Sequence, residues 1–254
     1  MSFAGRPPSV LLMAHQDRAR IAREFWIDRA QQQVGIQAVH PSIRWQRYHA
    51  WTRAMLQDWT LERMRRAAGH YRRCVDLGCG IGDWAERLAE IADEIHACDV
   101  APHFVAETRR RVPAAVVECA DLREYRLPRQ LDLVYLGAVL SYLPDRDVLD
   151  VFRRIRAATV PRALVIVRDY CAFNFGRASV NGQRDFFSVH RRPRDLLRLA
   201  EASGLSCVES RSSPSIYGEV MARGVPLLQW PMRGLWRIAT LAWLRASHTF
   251  ILRA

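Results

Sequence analysis

The stretch CVDLGCGIGDW, Cys74 to Trp84, contains three glycines at alternating positions shortly after Asp76, an acidic residue at the end of an apolar run. Glycine adopts backbone conformations that other residues reach only at a steric cost, so such a turn brings backbone amides close to a ligand. The stretch therefore predicts a strand, a tight ligand-binding turn and a helix, in that order.

Two phosphate-binding motifs do not fit this stretch. A P-loop requires a lysine followed by serine or threonine after its last glycine, whereas Asp83 and Trp84 follow Gly82. Counted from Gly78, the last position of a dinucleotide fingerprint is Asp83, whose charge opposes a pyrophosphate at a helix N-terminus. An adenosine ligand that carries positive charge and no phosphate fits better, and S-adenosylmethionine (SAM) is such a ligand.

From Tyr71 onward, short apolar runs alternate with amphipathic stretches, a pattern typical of a parallel sheet with helices on both faces. We predict an α/β, Rossmann-like fold with a seven-stranded, mostly parallel sheet. The predicted strands are residues 74–77, 94–99, 115–118, 131–136, 163–169, 205–211 and the closing SHTFILRA. The predicted helices are residues 83–91, 102–111, 146–158 and 193–203, and residues 174–183 are predicted to form a polar loop.

The chain divides into four predicted parts. Residues 1–70 show helical spacing of apolar and aromatic residues and are interpreted as an N-terminal helical cap. Residues 71–213 form the core, and residues 246–254 supply its last strand. Residues 214–245 lie between them as an insertion rich in tryptophan and arginine, for which a lid, a dimer interface, a membrane-surface helix and simple packing stay open.

The segment from Val75 to Gly82 resembles motif I of the class I SAM-dependent methyltransferases, with the full Asp-x-Gly-x-Gly-x-Gly pattern. The resemblance extends over roughly residues 71–170 and implies SAM as the cofactor and S-adenosylhomocysteine (SAH) as its product. In this family an acidic residue after the second strand binds both ribose hydroxyls, which here is Asp99. The cofactor-binding residues that the resemblance implies are Asp76, Gly78, Cys79, Gly80, Gly82, Asp99, Val100, Asp121, Leu122 and Gly137.

Motifs of several methyltransferase subfamilies are missing. Leu136 to Val139 occupy the place of the Asp/Asn-Pro-Pro-Tyr motif of DNA amino-methylases, and Tyr170 precedes Cys171 where cytosine-C5 enzymes carry Pro-Cys. The paired-glutamate loop of protein arginine enzymes and the aspartate cluster of metal-dependent catechol enzymes are also missing. We therefore predict a metal-independent enzyme that methylates an oxygen or nitrogen of a small molecule. A saccharide acceptor, such as a surface-polysaccharide precursor, is one form of this hypothesis.

Candidate catalytic residues follow the fifth predicted strand. His190 lies where metal-independent O-methyltransferases often place a base, and Asp169 could orient it or act itself. A surface histidine and a capping aspartate are the alternatives. Among cap residues, Arg53 is predicted to bind the SAM carboxylate. The predicted substrate-binding residues are Tyr48, His49 and Tyr142, for which packing is the alternative.

The formal net charge is +12, and all 38 basic residues are arginine. Because these arginines are dispersed, we interpret the charge as a coding bias and expect no nucleic-acid partner, although an RNA or ribosome methyltransferase is the rival hypothesis. The six cysteines show no metal-binding spacing, and no apolar run is long enough to span a membrane. We predict a cytoplasmic protein, with a peripheral membrane contact through residues 227–245 and a homodimer as further hypotheses. A catalytically silent scaffold subunit also stays open.

Overall fold

The computed structural model of the protein describes residues 15–32, 46–172, 179–183, 186–214 and 246–254. The strands are β1 (Tyr71–Leu77), β2 (Ala92–Asp99), β3 (Val116–Cys119), β4 (Leu131–Gly137), β5 (Thr159–Cys171), β6 (Ser179–Gln183), β7 (Phe186–His190), β8 (Ser206–Pro214) and β9 (Ala246–Arg253). The helices are α1 (His15–Gln32), α2 (Gln46–Ala67), α3 (Asp83–Leu88), α4 (Pro102–Arg111), α5 (Asp145–Ala158) and α6 (Pro193–Glu201), and a 3₁₀ turn spans Leu140–Tyr142.

Seven of these strands form one sheet in the order β3-β2-β1-β4-β5-β9-β8. Strands β1 to β5 run parallel, whereas β9 is antiparallel to both of its neighbours. The strand order reverses at β1 and β4, and ligands of open α/β sheets bind at such a reversal, beyond the carboxyl ends of the strands. The predicted α/β fold with a seven-stranded, mostly parallel sheet is confirmed.

Apolar side chains cover both faces of the sheet. On one face, Phe152 of α5 is completely buried and packs in a cluster with strand residues such as Leu136. On the other face, Trp59 and Met64 of α2 pack in a cluster with Tyr135. Burial of a side chain such as Phe152 stabilises the fold by about 1.5–3 kcal/mol. The near-continuous apolar sequence of β4 follows from its burial on both faces.

The predicted polar loop at residues 174–183 is wrong in its second half. Residues 179–183 form β6, which pairs with β7 as a separate two-stranded antiparallel sheet. Two strands of only five residues, one of them with a polar sequence, give too little periodicity to be recognised. The hairpin places His190 at the end of a strand, where the sequence predicted only a position beyond the fifth strand.

Several element ends also differ from the prediction. The helix predicted for residues 83–91 ends at Leu88, because the chain turns so that the Ile91 carbonyl accepts a hydrogen bond from the Tyr71 amide at 2.8 Å. Strand β5 is longer than the predicted 163–169, because its pairing with β9 continues to Cys171. Apart from Pro214, the predicted insertion at 214–245 lies outside the described residues. Among the described helices, none is long and apolar enough to cross a membrane.

Candidate functional site

The glycine turn follows β1 at the point where the strand order reverses. Gly78 has a φ of +76°, and a Cβ atom there would lie 2.9 Å from Cγ2 of Val139. Gly82 has a φ of +83°, and its Cβ would lie 3.1 Å from the Cα of Thr108 in α4. Both positions therefore need glycine for its left-handed conformation and for the close approach of neighbouring elements.

Asp99 fastens the glycine turn to the end of β2. Its Oδ2 accepts a hydrogen bond from the Gly80 amide at 2.9 Å, and its Oδ1 accepts one from the Ala101 amide at 3.0 Å. Burial raises the pKa of Asp99, and these backbone hydrogen bonds oppose the rise. Each carboxylate oxygen has a second lone pair, so Asp99 can still accept hydrogen bonds from two hydroxyls of a ligand.

Asp76 is the penultimate residue of β1, just before the turn, and is only 1% exposed. Within the described part of the chain, neither carboxylate oxygen accepts a hydrogen bond from a side chain, and the nearby Ala85 amide only partly opposes the rise of the Asp76 pKa. Burial, followed by the nearby charge of Asp99, raises the pKa of Asp76 to about 8. A buried carboxyl without a side-chain partner is costly, and a cationic group next to it would satisfy its oxygens and favour its ionised form.

Asp121 follows β3 and forms an ion pair with Arg123. Its Oδ2 lies 2.6 Å from a guanidinium nitrogen of Arg123, and its Oδ1 accepts a hydrogen bond from the Arg123 amide at 2.9 Å. Burial acts to raise the pKa of Asp121, but the hydrogen bonds from Arg123 and the charge of Arg23 outweigh it and lower this pKa. The carboxylate is therefore ionised and held in place.

These groups surround one cavity of about 440 Å³ at the carboxyl edge of the sheet. Predicted cofactor residues that line it are Asp76, Gly78, Cys79, Gly80, Asp99, Val100, Asp121, Leu122 and Gly137. Gly82 does not line the cavity but begins α3 and contacts α4. The predicted substrate and catalytic residues Tyr142 and His190 also line the cavity, whereas Asp169 does not.

The part of the cavity wall formed by α1 contains residues that the sequence did not identify. Ala22, Arg23 and Trp26 of α1 line the cavity. The Trp26 ring contacts that of Tyr142 edge to face with a centroid distance of 5.2 Å. The sequence instead predicted contacts from Tyr48, His49 and Arg53 of α2, whose side chains lie outside the described residues. Neither α1 nor α2 has a sequence motif that would have predicted which of the two helices lines the cavity.

Strand β7 contributes the other part of this wall. Ser188 and His190 are two residues apart, so both side chains point to the same face of the strand, and both line the cavity. Ser188 is 2% exposed, and its hydroxyl has no hydrogen-bond partner among the residues that the structure describes. The ring of His190 lies 6.4 Å, centroid to centroid, from that of Tyr170.

Asp169 is buried behind the cavity wall. It is 3% exposed, and its Oδ1 accepts a hydrogen bond from the Tyr170 amide at 2.8 Å. Burial raises its pKa to about 6, while hydrogen bonds from Tyr170 and Ser141 and the charge of Arg191 oppose the rise. Asp169 therefore contacts the chain around the 3₁₀ turn.

Arg191, which the sequence also missed, holds that 3₁₀ turn. It is 3% exposed and donates hydrogen bonds to the carbonyls of Leu140 at 2.8 Å and Leu143 at 2.5 Å. Its Nε donates to Asp145 at 2.7 Å. A buried guanidinium with this many acceptors fixes the turn that carries Tyr142. The sequence has arginine at positions 191, 192 and 194, and no pattern there indicates which of these side chains is buried.

The residues of the cavity fit SAM. Asp76 can receive the ammonium group of its methionine part, Asp99 its ribose hydroxyls, and the segment Asp121–Leu122 its adenine. A metal site is a separate question: within the described ranges, no group of three or more His, Cys, Asp or Glu side chains could hold an ion.

Residues 74–162 match a family described as "Methyltransferase domain". A trans-aconitate 2-methyltransferase of Rhizobium etli is 35% identical over 88 residues, which are 34% of this chain and 34% of that protein. The chain thus spans about a third of the length of the curated relatives it matches first.

Two solved structures resemble the whole chain. The Burkholderia thailandensis 1,6-didemethyltoxoflavin-N1-methyltransferase, with bound 1,6-didemethyltoxoflavin and SAH, has a TM-score of 0.67 at 13% identity and covers 98% of this chain and 92% of its own. The DhpI–SAH complex has a TM-score of 0.63 at 18% identity and covers 94% of this chain and 98% of its own. At these identities the likeness shows the fold.

Proposed function

Because the chain belongs to the class I SAM-dependent methyltransferases, we propose that it transfers the methyl group of SAM to an oxygen or nitrogen of a small molecule. In such a transfer the bond between the sulfur and the methyl carbon breaks while the acceptor atom bonds to that carbon. The sulfur keeps the electron pair, so SAH leaves as a neutral thioether. An acceptor hydroxyl or ammonium group also loses a proton.

The observation that carries this proposal is the buried carboxyl of Asp76 in the cavity, which has no side-chain partner among the described residues. A phosphate ligand would be repelled by this carboxyl in its ionised form, whereas a ligand with an ammonium group gains a partner for its charge. Asp99, fixed by two backbone amides at the same edge, supplies the acceptors that a ribose needs. This combination supports SAM rather than a nucleoside phosphate.

The cavity size supports a small acceptor. About 440 Å³ lies at the lower end of the range of about 300–1,000 Å³ for small-molecule sites, and the methyl donor takes part of it. The R. etli relative and the B. thailandensis neighbour are, by their names, enzymes for trans-aconitate and 1,6-didemethyltoxoflavin. The saccharide acceptor, the membrane contact and the homodimer remain hypotheses, because the insertion that suggested them lies outside the described residues.

Methyl transfer chiefly requires that the acceptor atom is aligned with the methyl group and that water is excluded. Trp26 and Tyr142 both line the cavity and contact each other edge to face, so they cover apolar surface that water would otherwise reach. For a hydroxyl or protonated amine we propose His190 as the base, because it lines the same cavity. For Asp169 we propose a positioning role, since it acts on the cavity through Ser141 and the 3₁₀ turn.

The first experiment is calorimetry of the purified protein with SAH, NAD and ATP. Binding of SAH alone is the expected result. Binding of NAD or ATP instead would contradict the proposal, and binding of none of the three would favour a silent scaffold. Labelled SAM then allows a screen of carboxylic acid, amine, sugar and RNA acceptors, in which labelling of RNA alone would favour the rival hypothesis.

His190→Ala tests the proposed base. It should leave SAH affinity unchanged and lower turnover by about a hundredfold or more, the usual contribution of a general base. His103→Ala removes an exposed histidine outside the cavity and is the control. Full activity of His190→Ala would show that His190 is not the base and would favour the alternative of a surface histidine.

A further inference from the structure

Three polar side chains meet on one face of the sheet at its carboxyl edge. Asp76 of β1 pairs in register with Tyr135 of β4, which pairs with Ile166 of β5. Side chains alternate between faces along a strand, so Arg168 lies on the same face as Ile166, one step nearer the edge. Asp76, Tyr135 and Arg168 all line the cavity.

Tyr135 lies on the strand between those of Asp76 and Arg168. Burial raises the pKa of Tyr135; the Arg168 guanidinium opposes this rise and the Asp76 carboxylate adds to it, so both groups lie close to the hydroxyl. The Tyr135 ring stacks on that of Trp84 with a centroid distance of 4.1 Å, which fixes its position. A guanidinium and a carboxyl group are thus both near one neutral ring in the cavity.

Arg168 differs in its surroundings from the other arginines of the cavity wall. Arg23 and Arg123 both act on the Asp121 carboxylate, which lies at the end where the adenine is expected. Arg168 follows the reversal of strand order at β4, and its carbonyl accepts a hydrogen bond from the Ala138 amide at 2.6 Å. Arg168 therefore lies at the same end of the cavity as Asp76.

We propose that Arg168 binds the carboxylate of the methionine part of SAM while Asp76 binds the neighbouring ammonium. An amino acid group carries both charges on one carbon, so a carboxylate and a guanidinium on neighbouring strands match it. Arg168 can offer two N–H donors to a carboxylate, which makes such pairs strong and directional. This inference rests on the proposed function and gives Arg168 the role that the sequence predicted for Arg53.

The test compares two ligands that differ only in the carboxylate, SAH and decarboxylated SAH. Calorimetry of each is measured on the wild type, Arg168→Met and Arg168→Lys. We expect Arg168→Met to weaken SAH binding by about tenfold or more and to change binding of decarboxylated SAH by less than about twofold. Arg168→Lys keeps the charge and should restore part of the loss. Arg153→Met removes an exposed arginine outside the cavity and serves as the control.

The two possible failures are distinct. If the wild type binds neither ligand, the proposed function fails first. If the wild type binds SAH and Arg168→Met binds it equally well, or loses both ligands equally, only the role of Arg168 is overturned. Should Arg168→Met fail to fold, the same comparison of the two ligands on Arg168→Lys decides: a larger loss for SAH supports the proposal, and equal changes overturn it.

Discussion

The two sides of the cavity are built differently. On the sheet side, Asp99 and the glycine turn come from two adjacent strands and are joined by backbone hydrogen bonds. The other part of the wall is formed by α1 and β7, which come from parts of the chain more than 150 residues apart, and the Ser188 hydroxyl there has no partner among the described residues. We infer that the sheet side binds a fixed ligand and that the wall formed by α1 and β7 is adapted to the acceptor.

The largest effect is expected on the sheet side, from Asp99→Ala. It should weaken SAH binding at least about tenfold, because it removes charge-assisted ribose contacts and frees the amides of Gly80 and Ala101. Calorimetry measures the loss. Asp93→Ala, an exposed position on the same strand, is the control. Unchanged binding would show that the ribose is held elsewhere.

A proton should be released when SAH binds next to Asp76. In the free protein the pKa of Asp76 is raised to about 8, so the carboxyl keeps its proton at pH 7. A bound ammonium favours the ionised form and lowers this pKa, so affinity should rise with pH and level off above about 8. Calorimetry at pH 7 in buffers of different ionisation enthalpy should show close to one proton released.

The variant Asp76→Asn sharpens this test. It cannot ionise, so the dependence on buffer should disappear together with most of the rise of affinity with pH. Equal proton release in the wild type and in Asp76→Asn would assign the proton to another group and would remove the main argument for a cationic ligand.

A smaller effect is expected from Trp26→Ala on the wall formed by α1 and β7. Trp26 lines the cavity, so the loss of its ring removes apolar surface that a bound ligand would cover, and SAH binding should weaken by about two- to tenfold. Gln31→Ala, an exposed position of the same helix, should have no effect. If Trp26→Ala lowered SAH affinity as much as Asp99→Ala, the two parts of the wall would contribute equally to SAH binding, which would contradict the comparison.

The smallest effect is expected from Ser188→Ala. Among the described residues the hydroxyl has no partner to lose, so the free energy of unfolding should stay within about 0.5 kcal/mol of the wild type, and SAH affinity should not change. Ser141→Ala, which removes a hydrogen bond to the buried Asp169, should cost about 1–3 kcal/mol. Chemical denaturation compares the two, and equal losses would mean that Ser188 supports the fold.

Sequence patterns predicted the sheet side well because its information is local. The φ values of Gly78 and Gly82 follow from steric needs within a few residues, and Asp99 ends a strand that alternation of apolar runs had indicated. The helix at 102–111 has the predicted bounds, with proline in its first turn. The role of each cofactor residue remains a prediction that the binding experiments test.

The amino-acid sequence by itself determined the fold class, the glycine turn and the acidic residues at the strand ends, since each depends on neighbours along the chain. Only the tertiary structure decided that α1 supplies Trp26 to the cavity, that β7 brings Ser188 and His190 to it, and that Asp169 lies behind its wall. It also placed Arg168 beside Tyr135 and Asp76, on three neighbouring strands. Contacts between distant segments depend on how they pack, and no short pattern of residues encodes that packing.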